Sequence, residues 1–149
     1  MLAIETIAEQ WFGRVLEGYP EQTAQFLVGQ RDRFRNPVGH TFREALSVLA
    51  EEVLGGMERP RIVSALDGIV RIRAVQDFTP SQAVGFIFLL REVLAQYPET
   101  NIPEVHRKVD DLALLAFDAY QQCREQIAEI RCREALRRPS GAMRDGCGG

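Results

Sequence analysis

The chain has 149 residues, of which 46% are hydrophobic and 26% are charged, and its formal net charge is −3. The length is typical of one domain, and the composition is that of a globular protein rather than a disordered one. The acidic balance argues against a nucleic-acid partner. Three cysteines are too few for a disulfide framework, so we expect reduced thiols in a cytoplasmic protein. The sequence shows neither a signal-peptide pattern nor an apolar run of about 18 residues, and we therefore expect no membrane partner.

Hydrophobic residues recur at spacings of three and four along most of the chain, which is the period of an amphipathic helix. The first predicted helix shows this pattern at Ile4, Ile7, Ala8, Trp11, Phe12 and Val15. Gly18-Tyr19-Pro20 ends that helix, because proline favours the first turn of a new one. A short second helix follows, and residues 32–39 are expected to form a loop, since Pro37 moves Asn36 out of the helical region.

Capping signals mark the starts of the next helices. Thr41 and Glu44 fit a capping box, which predicts that the third helix begins there and ends at Gly55-Gly56. A fourth helix is predicted over residues 60–76, and Thr79-Pro80-Ser81-Gln82 is a second capping box with proline at the first helical position. The residues that follow are apolar on almost every side, which is typical of a central buried helix.

The last predicted helix, over residues 104–138, contains no residue that would break it. Its apolar positions approach a heptad repeat, so its second half is expected to project as a coiled-coil stalk. The apolar positions are Val109, Leu112, Ala116, Tyr120, Cys123, Ile127 and Ile130. The sequence thus predicts one all-α domain of about six helices over residues 1–138, followed by a flexible tail at residues 139–149.

Few residues suggest catalysis or metal binding. His40 precedes a predicted helix start, and His106 lies in the first turn of the last helix, so neither is placed like a haem ligand. The cysteines are 9 and 15 residues apart, which is not the spacing of a zinc site. The sequence has no phosphate-binding loop and no nucleophile motif. We therefore expect no metal, no cofactor and no enzymatic activity.

Two groups of arginines remain, one around residues 31–35 and one on the fourth helix. Arg71 is in register to pair with Asp67, and Arg73 with Asp77. Arg73 also shares the inward stripe of the fourth helix, and a buried guanidinium must be paired. The group on the fourth helix is either a structural network or a site for an anion or a partner. The candidate ligand-binding residues are Arg33, Asn36, Arg71, Arg73 and Gln76.

Three segments together resemble one known family. They are residues 32–39 around Asn36-Pro37, residues 70–83 from the arginines to Thr79-Pro80-Ser81, and residues 117–120. The combination resembles the N-terminal domain of RsbRD-type proteins, the RsbT co-antagonists of bacterial stress signalling. The resemblance implies a globin-like, haem-free helical domain that dimerises, with a long C-terminal helix leading into a STAS domain. The 149 residues end about where that STAS domain would begin, so we expect this chain to lack the transmitter.

The resemblance favours a non-enzymatic regulatory or sensory domain that acts as a homodimer and contacts another signalling protein through its last helix. The alternative is a helical domain that binds a small anion in an arginine-lined pocket between the fourth and fifth helices. The candidate interface residues are Trp11, Phe12, Tyr120, Ile127 and Ile130.

Overall fold

The computed structural model describes residues 3–137, which form α-helices, one short 3-10 turn and connecting loops. The prediction of an all-α fold with a long C-terminal helix is confirmed. The predicted tail at residues 139–149 lies outside the described residues. The helices are α1 (Ile4–Leu16), α2 (Glu21–Gly29), α3 (Pro37–Val53), α4 (Arg59–Val75), α5 (Pro80–Val84), α6 (Phe86–Leu94) and α7 (Pro103–Arg137), and the 3-10 turn is Pro98–Thr100.

The core lies between α1, α3, α4, α6 and the first half of α7. Each helix buries one apolar stripe, as the spacing of three and four predicts, and α3 has packed neighbours on both sides in α1 and α4. The largest fully buried side chains include Trp11, Phe12, Phe42 and Phe86. A smaller cluster at the other end of α4 is formed by Val70, Ala74, Ala83, Tyr120 and Cys123.

The start of α3 differs from the prediction. The helix begins at Pro37, and Asn36 is its N-cap, with the side-chain Oδ1 accepting a hydrogen bond from Gly39 N at 2.9 Å. Thr41 is therefore inside the first turns of the helix, and the predicted capping box at this residue is wrong. Asn36 rather than Thr41 caps the helix, because the Asn36 Nδ2 also donates to the carbonyls of Leu27 and Gln30, at 3.0 and 2.9 Å. These bonds fix the end of α2 against the start of α3.

The fifth predicted helix is present but interrupted. The capping box at Thr79 and Gln82 is confirmed, yet Gly85 separates α5 from α6. A Cβ atom at Gly85 would lie 2.7 Å from the Ser81 carbonyl oxygen, so this position requires glycine. With α5 and α6 taken as one interrupted helix, the described residues contain six helices, as predicted.

The 35 residues of α7 span about 52 Å, which exceeds the diameter of about 30 Å that is usual for a small domain. Its first half packs on α4, α5 and α6, and Cys123 is its last buried residue. Residues 124–137 extend about 21 Å further, with no buried side chain among them. The coiled-coil stalk expected over this half of the helix stays a prediction.

Candidate functional site

Arg73, near the C-terminal end of α4, is the most unusual charged residue in the described part of the chain. It is only 5% exposed, because it shares the inward stripe of α4 with Ile62, Leu66 and Ile69. The predicted inward orientation of Arg73 is thus confirmed. Transferring a charge from water into a protein interior is unfavourable by several kcal/mol unless a partner compensates for it, so the surroundings of this guanidinium decide its role.

Four aromatic rings surround the Arg73 guanidinium. Its Cζ atom lies 4.8 Å from the ring centre of Phe78 and 5.3 Å from that of Phe86. The rings of Phe42 and Tyr19 are slightly further away, at 5.7 and 5.8 Å. Such contacts between a cation and aromatic faces are worth up to about 2 kcal/mol when water is excluded. The rings stabilise the charge without neutralising it.

The hydrogen bonds of Arg73 are incomplete. Nη1 donates to the Gln82 carbonyl at 2.8 Å, whereas the buried Nε has no hydrogen-bond partner. Within residues 3–137 Arg73 makes no ion pair, and the predicted pairing with Asp77 is not formed. The guanidinium therefore retains an unpaired positive charge and one unsatisfied donor.

Tyr19 is a titratable neighbour of the Arg73 guanidinium. Burial raises the pKa of the Tyr19 phenol, although the nearby Arg73 opposes that shift. Burial lowers the pKa of the Arg73 guanidinium, whereas its interactions with Tyr19 raise that pKa. The Tyr19 hydroxyl donates to Gln76 Oε1 at 3.0 Å, which connects the arginine, the phenol and the end of α4.

Two local features of the chain create the ring enclosure. The end of α4 is closed by hydrogen bonds from Phe78 N to the Arg73 carbonyl and from Asp77 N to the Ala74 carbonyl. This is the Schellman arrangement, and Asp77 takes the left-handed conformation it requires, with φ of 59°. The chain thereby reverses and places the Phe78 ring over Arg73. The interruption at Gly85 places the Gln82 carbonyl within reach of Nη1.

The guanidinium lies beside a pocket with a volume of about 290 Å³. Tyr19, Phe78, Phe86 and other apolar groups form much of its wall, and Ser81 and Gln82 contribute polar groups. Arg14 lies at the pocket too, but its guanidinium pairs with Glu92 at 3.5 Å. A buried cation in a largely apolar wall is an arrangement that suits a small organic anion.

The structure does not bring the five predicted ligand residues together. Arg73 and Gln76 both contact Tyr19, whereas Asn36 uses its side chain in the N-cap of α3. Arg71 is exposed and pairs with Asp67 at 2.8 Å, as its spacing predicted. Arg33 stacks on the exposed ring of Phe34. Of the predicted set, only Arg73 and Gln76 remain in the candidate site.

The candidate interface residues divide into two groups. Trp11 and Phe12 are fully buried in the core of the single chain, and Tyr120 is almost fully buried. Their side chains fill the interior, so we leave these three out of the proposed interface. Ile127 is half-buried against the smaller cluster, and Ile130 is 53% exposed. Only these two lie where a second chain could contact them.

The histidines and cysteines lie away from the Arg73 pocket. His40 bonds to Glu44 at 3.2 Å and His106 to Asn101 at 2.7 Å, both at the surface. Cys123 is a buried free thiol, as expected. Within residues 3–137 no cluster of histidine, cysteine or acidic residues could hold a metal ion. In the same range no helix combines the length and hydrophobicity needed to cross a membrane.

Sequence reasoning missed the aromatic residues of the site. Tyr19, Phe42, Phe78 and Phe86 come from four separate parts of the chain, and each belongs to a helical stripe or loop with an ordinary structural role. The available signal was the arginine on the inward stripe of α4, because a buried cation needs compensating neighbours. That signal identifies the centre of the site but none of its walls.

Comparisons with known proteins agree with the family resemblance. The model of the family described as "RsbT co-antagonist protein rsbRD N-terminal domain" matches residues 5–135. An uncharacterized protein of Archaeoglobus fulgidus is 27% identical over 136 residues, which cover 86% of this chain and 82% of the relative. No solved structure gives a significant match. The matched family is a signalling and regulatory one and not a known enzyme family. The chain therefore belongs to the rsbRD N-terminal domain family, a class of stress-signalling regulatory domains.

Proposed function

We propose that this chain is a non-enzymatic sensory domain of bacterial stress signalling, which forms a homodimer and contacts another signalling protein through the exposed end of α7. In this proposal residues 1–138 are the sensory domain, which is globin-like and haem-free and acts in the cytoplasm. Residues 104–138 are its connector. The acidic net charge supports a protein partner over a nucleic acid.

The observation that carries the proposal is the 14-residue segment 124–137, which continues α7 beyond its last buried residue, Cys123. Short helices without tertiary contacts are marginally stable in water, so a helix of this kind gains stability from a partner. Ile130 and Leu136 are 53% and 66% exposed on this segment. Packing these side chains against a second copy of α7 would remove them from water.

The segment also carries charges beside these apolar residues: Arg133 is three residues from both Ile130 and Leu136, so it shares their face of the helix. Arg133 and Glu129 form an ion pair one turn apart along the exposed helix. At the base of the segment, Arg124 donates a long hydrogen bond of 3.5 Å to the Ala74 carbonyl. Ile130 and Leu136 lie beyond that contact on the helix, exposed where a partner can pack on them.

Size-exclusion chromatography with light scattering tests the proposal on the full chain at about 50 μM. We expect a mass of twice 16.8 kDa for the wild type and a shift to monomer for Ile130→Asp. The matched control is Leu114→Asp, which changes another exposed apolar residue of the same helix, 67% exposed on the body of the domain, and should leave the dimer intact. A monomeric wild type at this concentration would overturn the proposed dimer.

A further inference from the structure

We propose that the pocket beside Arg73 binds a small organic carboxylate, whose acid group pairs with the buried guanidinium while its apolar body packs against the surrounding rings. This site is separate from the exposed segment of α7 and needs no second chain. A carboxylate would be the class of signal molecule that the proposed sensory domain detects. This part of the inference rests on the proposed function.

The first argument is the unpaired charge. Arg73 is only 5% exposed, and its buried Nε has no hydrogen-bond partner. The acidic residue in helical register, Asp77, makes no ion pair with it within residues 3–137. Buried charges in proteins are paired with an opposite charge as a rule, whereas the residues described here give Arg73 four aromatic rings, the neutral Tyr19 phenol and one carbonyl, and no carboxylate. An anion from solution would complete the pairing.

The second argument concerns the shape and chemistry of the ligand. The edge of a guanidinium presents parallel N–H groups that match the two oxygens of a carboxylate. A phosphate would need more donors than this pocket offers, because the other arginine at its wall, Arg14, is paired with Glu92. The volume of about 290 Å³ is at the lower end for small-molecule sites, so the ligand is small.

The third argument is the position of the pocket relative to α7. Phe78 contacts Arg73 through its ring, at 4.8 Å, and its carbonyl accepts a hydrogen bond from the Tyr120 hydroxyl at 2.7 Å. Tyr120 lies one turn before Cys123, where α7 leaves the body of the domain. A ligand that packs against the Phe78 ring would therefore act on the residue that binds the base of the exposed segment, and this is the route by which a bound signal would change partner contacts.

Thermal unfolding and isothermal titration calorimetry of the full chain test the site with defined probes. The probes are acetate, butyrate, hexanoate, phenylacetate and benzoate, with benzamide as the uncharged analogue, inorganic phosphate as the other anion class, and chloride at matched ionic strength. We expect at least one carboxylate with an apolar body to bind saturably and raise the melting temperature. Benzamide and chloride should not do so. Absence of saturable binding of every carboxylate up to about 20 mM, or saturable binding of phosphate alone, would overturn the proposal.

Two variants assign the binding to this pocket. Arg73→Met removes the charge and should weaken the best carboxylate at least tenfold, whereas Arg71→Met, two residues along α4 and exposed, should change it less than twofold. Ser81→Phe fills the pocket from its exposed rim and should also abolish binding, and it decides the matter if Arg73→Met does not fold. Carboxylate binding that survives Ser81→Phe would overturn the site. Neither result depends on the dimer, so a failure here is distinct from a monomeric wild type.

Discussion

Replacing Asn36 with alanine should destabilise the whole domain, although sequence reasoning placed this residue in a ligand site. The side chain is 2% exposed and makes three hydrogen bonds, one to Gly39 N and two to the carbonyls of Leu27 and Gln30. Loss of the N-cap is worth about 1 kcal/mol. Each of the two remaining bonds adds about 1 kcal/mol, because a buried carbonyl loses its donor. The free energy of unfolding should therefore fall by about 3 kcal/mol.

Urea unfolding at one fixed protein concentration measures this change. Trp11 is the only tryptophan and is fully buried, so its fluorescence reports the loss of the core. The melting temperature should fall by about 6–12 °C for a loss of this size. Asn101→Ala is the control, since the exposed Asn101 side chain bonds only to His106 within residues 3–137, and it should change stability by less than about 1 kcal/mol.

A double-mutant cycle with Gly39→Ala shows whether the cap geometry is the cause. A Cβ atom at Gly39 would lie 2.2 Å from Asn36 Nδ2, so Gly39→Ala alone should displace the same side chain and destabilise the protein. Once Asn36 is alanine that clash is gone, and the second substitution should have little further effect. Additive losses in the double variant, or an Asn36→Ala protein within about 1 kcal/mol of wild type, would refute this reasoning.

Three further changes test other parts of the fold. Asp77→Gly should raise the free energy of unfolding by about 0.5–1 kcal/mol in urea titrations, because Asp77 has a φ of 59° that glycine adopts without strain. A lower free energy of unfolding would show that the Asp77 side chain stabilises the fold by more than its backbone strain destabilises it. Tyr120→Phe removes the bond to the Phe78 carbonyl and should lower the free energy of unfolding by about 1 kcal/mol, and an unchanged value would argue against a firm link between α7 and the pocket. Burial raises the pKa of Tyr19 above 10.0, so the unfolded chain loses this proton first as pH rises, and stability should fall above about pH 10. Urea titrations of Tyr19→Phe should show a smaller fall over that range than those of the wild type, and an equal fall would assign it to other groups.

Local signals in the sequence predicted much of the fold. The spacing of apolar residues identified the helices, and the capping box at Thr79 marked the start of α5 because its two partners lie three residues apart. The pairing of Asp67 with Arg71 and the inward direction of Arg73 also follow from helical register alone. Each of these features depends on residues that are close in the chain.

Features that depend on distant contacts were not predictable. Thr41 and Asn36 both fit helix-cap patterns, and the choice between them depends on bonds from Asn36 to the end of α2. An amphipathic stripe shows which side chains leave water but not whether they pack on the same chain or on another, so Trp11 was assigned to an interface although it is internal. The rings around Arg73 have no common spacing for the same reason.

The interruption at Gly85 makes the length of this part of the chain critical. The Phe86 carbonyl accepts a hydrogen bond from Trp11 Nε1 at 2.7 Å, and the Gln82 carbonyl accepts one from Arg73 Nη1. Side chains of α1 and α4 therefore bind the backbone on either side of the break. Removing or adding one residue here would rotate all of α6 by about 100° and carry the Phe86 carbonyl away from the indole. Relatives of this domain should therefore tolerate exchanges of residue type around the break far better than insertions or deletions.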